Sequence, residues 1–203
     1  MTLEKGQPWG EPGRLAPDGF VCDSDAAVSD HVRSARLENR HPAPVGLVGG
    51  DLCRTLGGRG DRRRLVGDDA VQLTVDIGRA RIDDQDHWFA AHCIARRWAW
   101  RGTTIGVMNA AFLGSWNVAP RAHPGDGRLD VLEADLGWGD RWKARQRLPG
   151  GTHVPHPGIA QRRVTAGEWS FERPIDVYID GRRHRRVRRL AVEIEPEALG
   201  VVV

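Results

Sequence analysis

Asp126 lies in Ala122-His123-Pro124-Gly125-Asp126-Gly127-Arg128-Leu129-Asp130-Val131, a Pro-Gly-Asp-Gly turn that runs straight into an apolar stretch. A tight, carbonyl-rich loop of this kind gathers hard oxygen atoms, which suit magnesium or calcium, although Asp-Gly also makes an ordinary turn. Asp180, in Ile179-Asp180-Gly181-Arg182, can serve as a general base or close a hairpin. His153 and His156 in Thr152-His153-Val154-Pro155-His156, with Cys93 or His92, offer metal-ligand types, against the plainer reading of a packed loop. Trp98, Trp100 and Trp116 could line an apolar cleft for an acyl chain or form core. Arg62-Arg63-Arg64 and the arginine-rich run from Arg182 to Arg189 could meet phosphate, anionic lipid or nucleic acid, or protect a solvated edge hairpin.

These residues must be positioned by two kinds of structure. Residues 1–19, rich in Gly and Pro, read as a flexible arm or a tail that docks on a partner. Over residues 20–66 the pattern is strand, helix, strand, helix: Phe20-Val21-Cys22, then a helix capped at Ser24 or Asp25 and running to about Glu38 with Ala27, Val28, Val32 and Leu37 on its apolar side. Val45 to Val48 then reads as a parallel strand, and Asp51 to Leu56 as a short helix closed by Gly57-Gly58. Over residues 67–203 short strands follow at close spacing: 71–77, 87–95, 104–110, 129–133, 159–165, 175–179, 190–194 and 199–203. Turn signals between them point to an antiparallel sandwich. Trp138, Trp142, Arg145 and Leu148 recur at helical spacing and predict one helix covering that sheet. The expected class is α+β, an antiparallel β-sandwich domain with one covering helix, preceded by a truncated α/β fragment.

With the elements placed, the chain resembles the diacylglycerol kinase-like lipid kinases of the NAD kinase superfamily. Val75-Asp76-Ile77-Gly78 is similar to the family's Asp-Leu-Gly strand, Met108-Asn109 through Gly114 to its Asn-Gly segment, and Ala119-Pro120 onward to its Asp-Gly-x-Leu-Asp-Val loop. The resemblance implies a magnesium ion on Asp126 with the carbonyls of His123 and Arg128, and Asp180 as the base that takes a lipid hydroxyl's proton. Arg182 stands where the family has glutamate. It also implies ATP contacts at Asp25 and at Gly49, Gly50, Asp51 and Arg54, because Asp23-Ser24-Asp25-Ala26-Ala27 aligns with the family's Gly-Gly-Asp-Gly-Thr loop. Val48-Gly49-Gly50-Asp51-Leu52-Cys53-Arg54-Thr55-Leu56-Gly57 aligns with its second nucleotide loop. The glycines and threonine of the first loop are gone, so a phosphate there would meet two carboxylates in place of open backbone amides.

The reading that follows is a lipid kinase-family protein whose kinase activity is reduced or absent, acting as a lipid-binding or oligomerising module. The alternatives are an active ATP-dependent lipid kinase acting on a diacylglycerol-like hydroxyl, and an arginine-mediated binder of anionic membrane or nucleic acid. Nucleic acid is disfavoured, since no zinc finger, recognition helix or aromatic-basic strand motif is present. A truncated fragment would leave a strand edge open, so a homodimer or a complex with another chain is expected. Cys22, Cys53 and Cys93 are widely spaced and odd in number, which argues for reduced buried thiols. The opening residues show no basic-then-apolar signal, and no apolar run approaches the ~20 residues of a spanning helix. A cytoplasmic protein, peripheral to a membrane if it binds one, is the expectation.

Overall fold

In a computed structural model of the chain, residues 9–203 are described. The elements in order are β1 (Glu11–Pro12), β2 (Phe20–Cys22), α1 (Asp25–Leu37), β3 (Val45–Leu47), α2 (Gly50–Thr55), β4 (Val71–Ile82), β5 (Gln85–Phe89), β6 (His92–Arg96), β7 (Thr104–Met108), β8 (Phe112–Leu113), β9 (Trp116–Asn117), β10 (Leu129–Ala134), α3 (Trp138–Arg147), β11 (Ile159–Val164), β12 (Ala166–Ile179) and β13 (Arg182–Val202). The predicted antiparallel β-sandwich with one helix is what forms from β4 onward. Its main path runs β1-β4-β13-β12-β6-β7-β10-β11, with β5 on β4 and a separate β8-β9 hairpin.

The organising element is β13. Its first half pairs with β12 from Arg182 to Glu193, and its second half with β4 from Ala191 to Val202. Sequence patterning predicts two strands here, because the inward set Leu190, Val192, Ile194 is out of phase with Leu199, Val201. The structure absorbs the phase change in a bulge between Glu195 and Leu199, where Glu197 takes a φ of +51°, so one strand serves both runs. The last residues of β13 also pair in parallel with β3, Val201 with Val45 and Val202 with Gly46, and β3 pairs in turn with β2. The α/β fragment is therefore hydrogen-bonded into the sandwich, and Cys22, Val28, Val32, Leu47 and Leu52 share one apolar cluster with Val75, Ile77, Leu199 and Val201.

Three further sequence expectations change. Residues 9–19, expected as part of a loose arm, are packed: β1 pairs with β4, Leu15 is buried against Leu65 and Val202, and Trp9 packs on His123, the rings tilted at 39° with centroids 4.3 Å apart. Residues 1–8 of that arm lie outside the described residues. The stretch 87–95, expected as one strand, breaks at Ala90-Ala91 into β5 and β6, because the amides there turn toward Asp180. On α1 the buried stripe is Val28, Val32 and Ala35, and Leu37 falls outside it at 67% exposed. No helix among the described residues is long and apolar enough to cross a membrane.

Candidate functional site

The starts of α1 and α2, the β5-β6 break and the β12-β13 turn converge on a buried cluster of carboxylates. Asp25 opens α1, and its two oxygens accept the backbone N–H groups of Asp51 (2.6 Å) and Leu52 (2.9 Å) at the start of α2. Gly49 is extended, and Gly50 has a φ of +92°. A Cβ at Gly49 would collide with the Asp23 carbonyl, and one at Gly50 with the Asp25 carboxylate. The two loops expected to cradle phosphates are thus pressed against each other, and the amides a phosphate would use are already held by Asp25.

Asp51 accepts a bond from the Gly114 amide (3.0 Å), and its Oδ2 lies 3.2 Å from His92 Nε2. Arg54 leaves the cluster: its guanidinium donates to the Gly114 carbonyl (2.7 Å) and lies over the Phe112 ring, 3.9 Å from the centroid. Of the expected nucleotide residues, Asp25, Gly49, Gly50 and Asp51 come together while Arg54 braces the β8-β9 hairpin. Burial pushes the Asp25 carboxyl up to about 6; the Asp180 charge adds to this, and the two amide bonds oppose it. At Asp51 burial also pushes upward, but the His92 bond, the Gly114 amide and the His92 and Arg54 charges outweigh it and hold the group below the usual carboxylate range. Burial disfavours the His92 imidazolium, yet its bond to Asp51 and the charges of Asp180, Asp51 and Asp25 raise its pKa. Asp25, Asp51 and His92 form the one group of three side chains, among the described residues, whose ligand atoms lie within 4.8 Å of one another. Two oxygens and an imidazole nitrogen are a donor set that a borderline divalent cation accepts. The sequence sets His92 only beside His153 and His156 as a ligand type; no spacing ties it to Asp51.

Asp180 is 8% exposed in the β12-β13 turn. Its Oδ1 accepts the amides of Ala91 (3.0 Å) and His92 (2.9 Å), and its Oδ2 accepts the amide of Ala90 (2.8 Å) and the hydroxyl of Ser29. Four donors fill the four lone-pair directions of a carboxylate. The expected base is built as a strut, and Arg182 beside it donates to Asp30 (2.6 Å).

The expected metal loop is held from within. Asp76 accepts the amides of Gly127 (2.7 Å) and Glu197 (2.9 Å), and its own N–H donates to the Pro124 carbonyl (2.8 Å). Asp126 accepts the amide of Arg128 (3.0 Å) and pairs with the Arg163 guanidinium, while the His123 carbonyl accepts the Gly125 amide (2.8 Å). Arg163 Nε also lies 3.8 Å from the buried Asp130 carboxylate, which burial pushes up to about 6. As built, the loop holds a side-chain cation where a metal would sit, and an ion could bind only by displacing Arg163. The residues do not fit a resident metal.

A cavity of about 320 Å³ lies between α3 and the sheet, with Ile94, Gly106 and Leu132 below, Trp100 and Trp116 at the side, and Trp138, Trp142 and Leu148 above. The helix predicted to cover the sheet is therefore held off it, with Trp138 67% and Trp142 64% exposed. Trp100 and Trp116 line the cavity as expected and meet edge to face at 6.1 Å, whereas Trp98 lies outside it under Arg101. His153 faces the cavity at 3% exposed with neither ring nitrogen in a well-formed hydrogen bond; His156 turns its Nδ1 to the Gly158 amide instead. The three cysteines are buried and unpaired with one another, and burial pushes Cys22 up to about 12. Much of the arginine run is neutralised on the sheet, with Arg183 and Arg186 on Asp176 and Arg185 facing Asp83.

No match is found among curated proteins. Three solved structures from Bacillus anthracis strain Sterne, named for diacylglycerol kinase, share the fold: one at a TM-score of 0.68 and 15% identity, covering 91% of this chain and 77% of its own. The second has a TM-score of 0.64 and 13% identity over 90% of this chain and 75% of its own. The third has the same score and identity over 91% and 75%. Residues 75–203 match the family described as the YegS C-terminal NAD kinase beta sandwich-like domain. Since that match takes in most of the chain and follows the strands that carry the Asp76, Asp126 and Asp180 loops, the protein belongs to this family of NAD kinase-like β-sandwich domains.

Proposed function

We propose that this protein is a lipid-binding member of its family, holding an acyl chain between α3 and the sheet, with little or no transfer of phosphate from ATP. The observation that carries the reading is the tryptophan-rimmed cavity of about 320 Å³. It falls in the size range of small-ligand sites, which combine apolar walls with few polar groups, and His153 supplies one polar group inside it. Arg141 and Arg145 stand at the rim, Arg145 over the Trp116 ring at 5.4 Å, where they suit an anionic headgroup.

Phosphoryl transfer works by positioning and charge neutralisation. Here the α2 amides are taken by Asp25, Asp180 is saturated with donors, and Arg54 points away, so a triphosphate would meet carboxylates without a cradle. The second reading, an active ATP-dependent lipid kinase using magnesium, draws support from Asp25, Asp51 and His92 as a place where a divalent ion could be held. It requires Asp180 to be released from its four donors. Self-association belongs to the same proposal: β2 has no strand partner on its outer side among the described residues, and Phe20 there is 53% exposed.

The test uses the whole chain with diacylglycerol in mixed vesicles. Displacement of a fluorescent fatty acid by the lipid, lost in the Trp138→Ala/Trp142→Ala variant while the melting curve stays unchanged, is expected. So is ATP turnover indistinguishable from that of Asp51→Asn. Robust turnover that Asp51→Asn abolishes would establish the second reading instead.

A further inference from the structure

A second cleft, of about 220 Å³, opens on a different part of the molecule, between α1, β5 and the start of β13. Its volume is several times the ~30 Å³ share of one water molecule. Ala26, Ser29, Asp30 and Arg33 line it from one face of α1, as their spacing requires. His87 comes from β5, and Arg182 and His184 from β13.

The charges in this cleft are unequally satisfied. Asp180 is held by three amides and Ser29, and Asp30 is paired with Arg182 at 2.6 Å. Just outside, Asp86 is engaged by Arg79 and Arg81, and Arg185 faces Asp83 at 3.6 Å. Arg33 has no ion pair or hydrogen bond among the described residues, and neither do the rings of His87 and His184, which meet edge to face with centroids 4.8 Å apart. A guanidinium and two imidazoles thus face one cavity without an acceptor. Two imidazoles in contact resist protonation unless an anion joins them.

We propose that this cleft binds a phosphate-type oxyanion through Arg33, His87 and His184, with proton uptake by the histidines on binding. Both histidines are held below the usual imidazole range. For His87 the causes are burial, then His184, Arg33 and Arg185, opposed by Asp86; for His184 they are burial, then Arg182 and Arg33, opposed by Asp180. At neutral pH the pair is therefore uncharged, and an incoming dianion draws one proton onto it. The site shares no lining residue with the apolar cavity, and Asp180, the expected base, borders it.

Sulfate, which keeps its charge through the range, is the probe, titrated into the whole chain by calorimetry. Binding is expected to strengthen by about tenfold per pH unit as pH falls from about 8 to 6, one proton being taken up per anion. The Arg33→Ala variant, at an exposed helix position, should weaken it at least tenfold, while Arg189→Ala, in the arginine run outside the cleft, should leave it unchanged. His87→Gln/His184→Gln should abolish the pH slope. Equal affinity in wild type and Arg33→Ala, or a slope that survives without both histidines, overturns the proposal. Phosphatidic acid vesicles and inorganic phosphate then compete against bound sulfate: displacement by vesicles assigns the anion to a lipid headgroup, and displacement by inorganic phosphate alone assigns it to a soluble one. Failure of both to compete overturns the phosphate assignment.

Discussion

Replacing Asp25 with asparagine isolates what it takes to keep a charge in the buried cluster. Asp25 is raised from 3.8 to about 6, chiefly by burial and next by the Asp180 charge. Its folded pKa therefore lies above its unfolded one, so the folded state holds the proton more tightly. Stability from this group is present at low pH and is lost as pH rises from about 4 through about 6. A shift of about two units corresponds to about 3 kcal/mol of destabilisation when the group is fully ionised. Asparagine removes that charge but leaves one of the two α2 amides facing an NH₂ group, which costs about 1–3 kcal/mol at every pH. The absolute stability difference combines these opposing quantities, whereas its pH dependence reports the charge alone. Urea denaturation of both proteins should show the asparagine variant gaining on wild type by about 1–2 kcal/mol between pH 5 and pH 8, most of it between about pH 5 and pH 6. A difference that stays flat across that range would refute the burial argument, and with it the view that Asp25 fills the place of a phosphate.

Asp180→Ala leaves three buried amides without acceptors and should lower stability by about 3–5 kcal/mol in denaturant titration; a variant as stable as wild type would show that Asp180 is no strut. The melting temperature of the wild-type protein should not change with EDTA or added magnesium, whereas Arg163→Ala should melt lower and recover with magnesium, because the Asp126 loop is then open to an ion. Light scattering at micromolar concentration should find the wild type self-associated and Phe20→Lys shifted toward monomer; a strictly monomeric wild type removes the β2 edge from the proposal.

The strands were legible where apolar residues alternate, as over Val71 to Ile77 of β4, or where a short apolar run follows a clear turn, as at β10. They were less legible where one side chain reorganises the backbone. Ala90 and Ala91 look like the middle of a strand, and only the distant Asp180 carboxylate explains why their amides leave the ladder. The Glu195–Leu199 bulge hides in the same way, since a phase change in patterning reads equally as a loop between two strands. Asp25, Asp51 and Asp180 could be picked out through the resemblance of their loops to those of the lipid kinases, Asp180 also through its Asp-Gly turn. That they neighbour one another, and that His92 completes the group, depends on the pairing of β6 with β12 and of β5 with β4, which no local spacing encodes. Trp9 and Leu15 were missed for a related reason: among Gly and Pro a lone large side chain carries no period, and only the surface it covers gives it a place.

The parallel pairing of β3 with the far end of β13 bears on how the molecule is made. Val45 and Gly46 leave the ribosome well before the neighbours that complete their ladder, Val201 and Val202. Until then the nascent α/β segment has an uncovered apolar flank and an unmatched row of amides, a state that invites chaperone capture or premature aggregation. Shortening β13 by a few residues would thus harm the α/β fragment, more than a hundred residues before it in the chain, first.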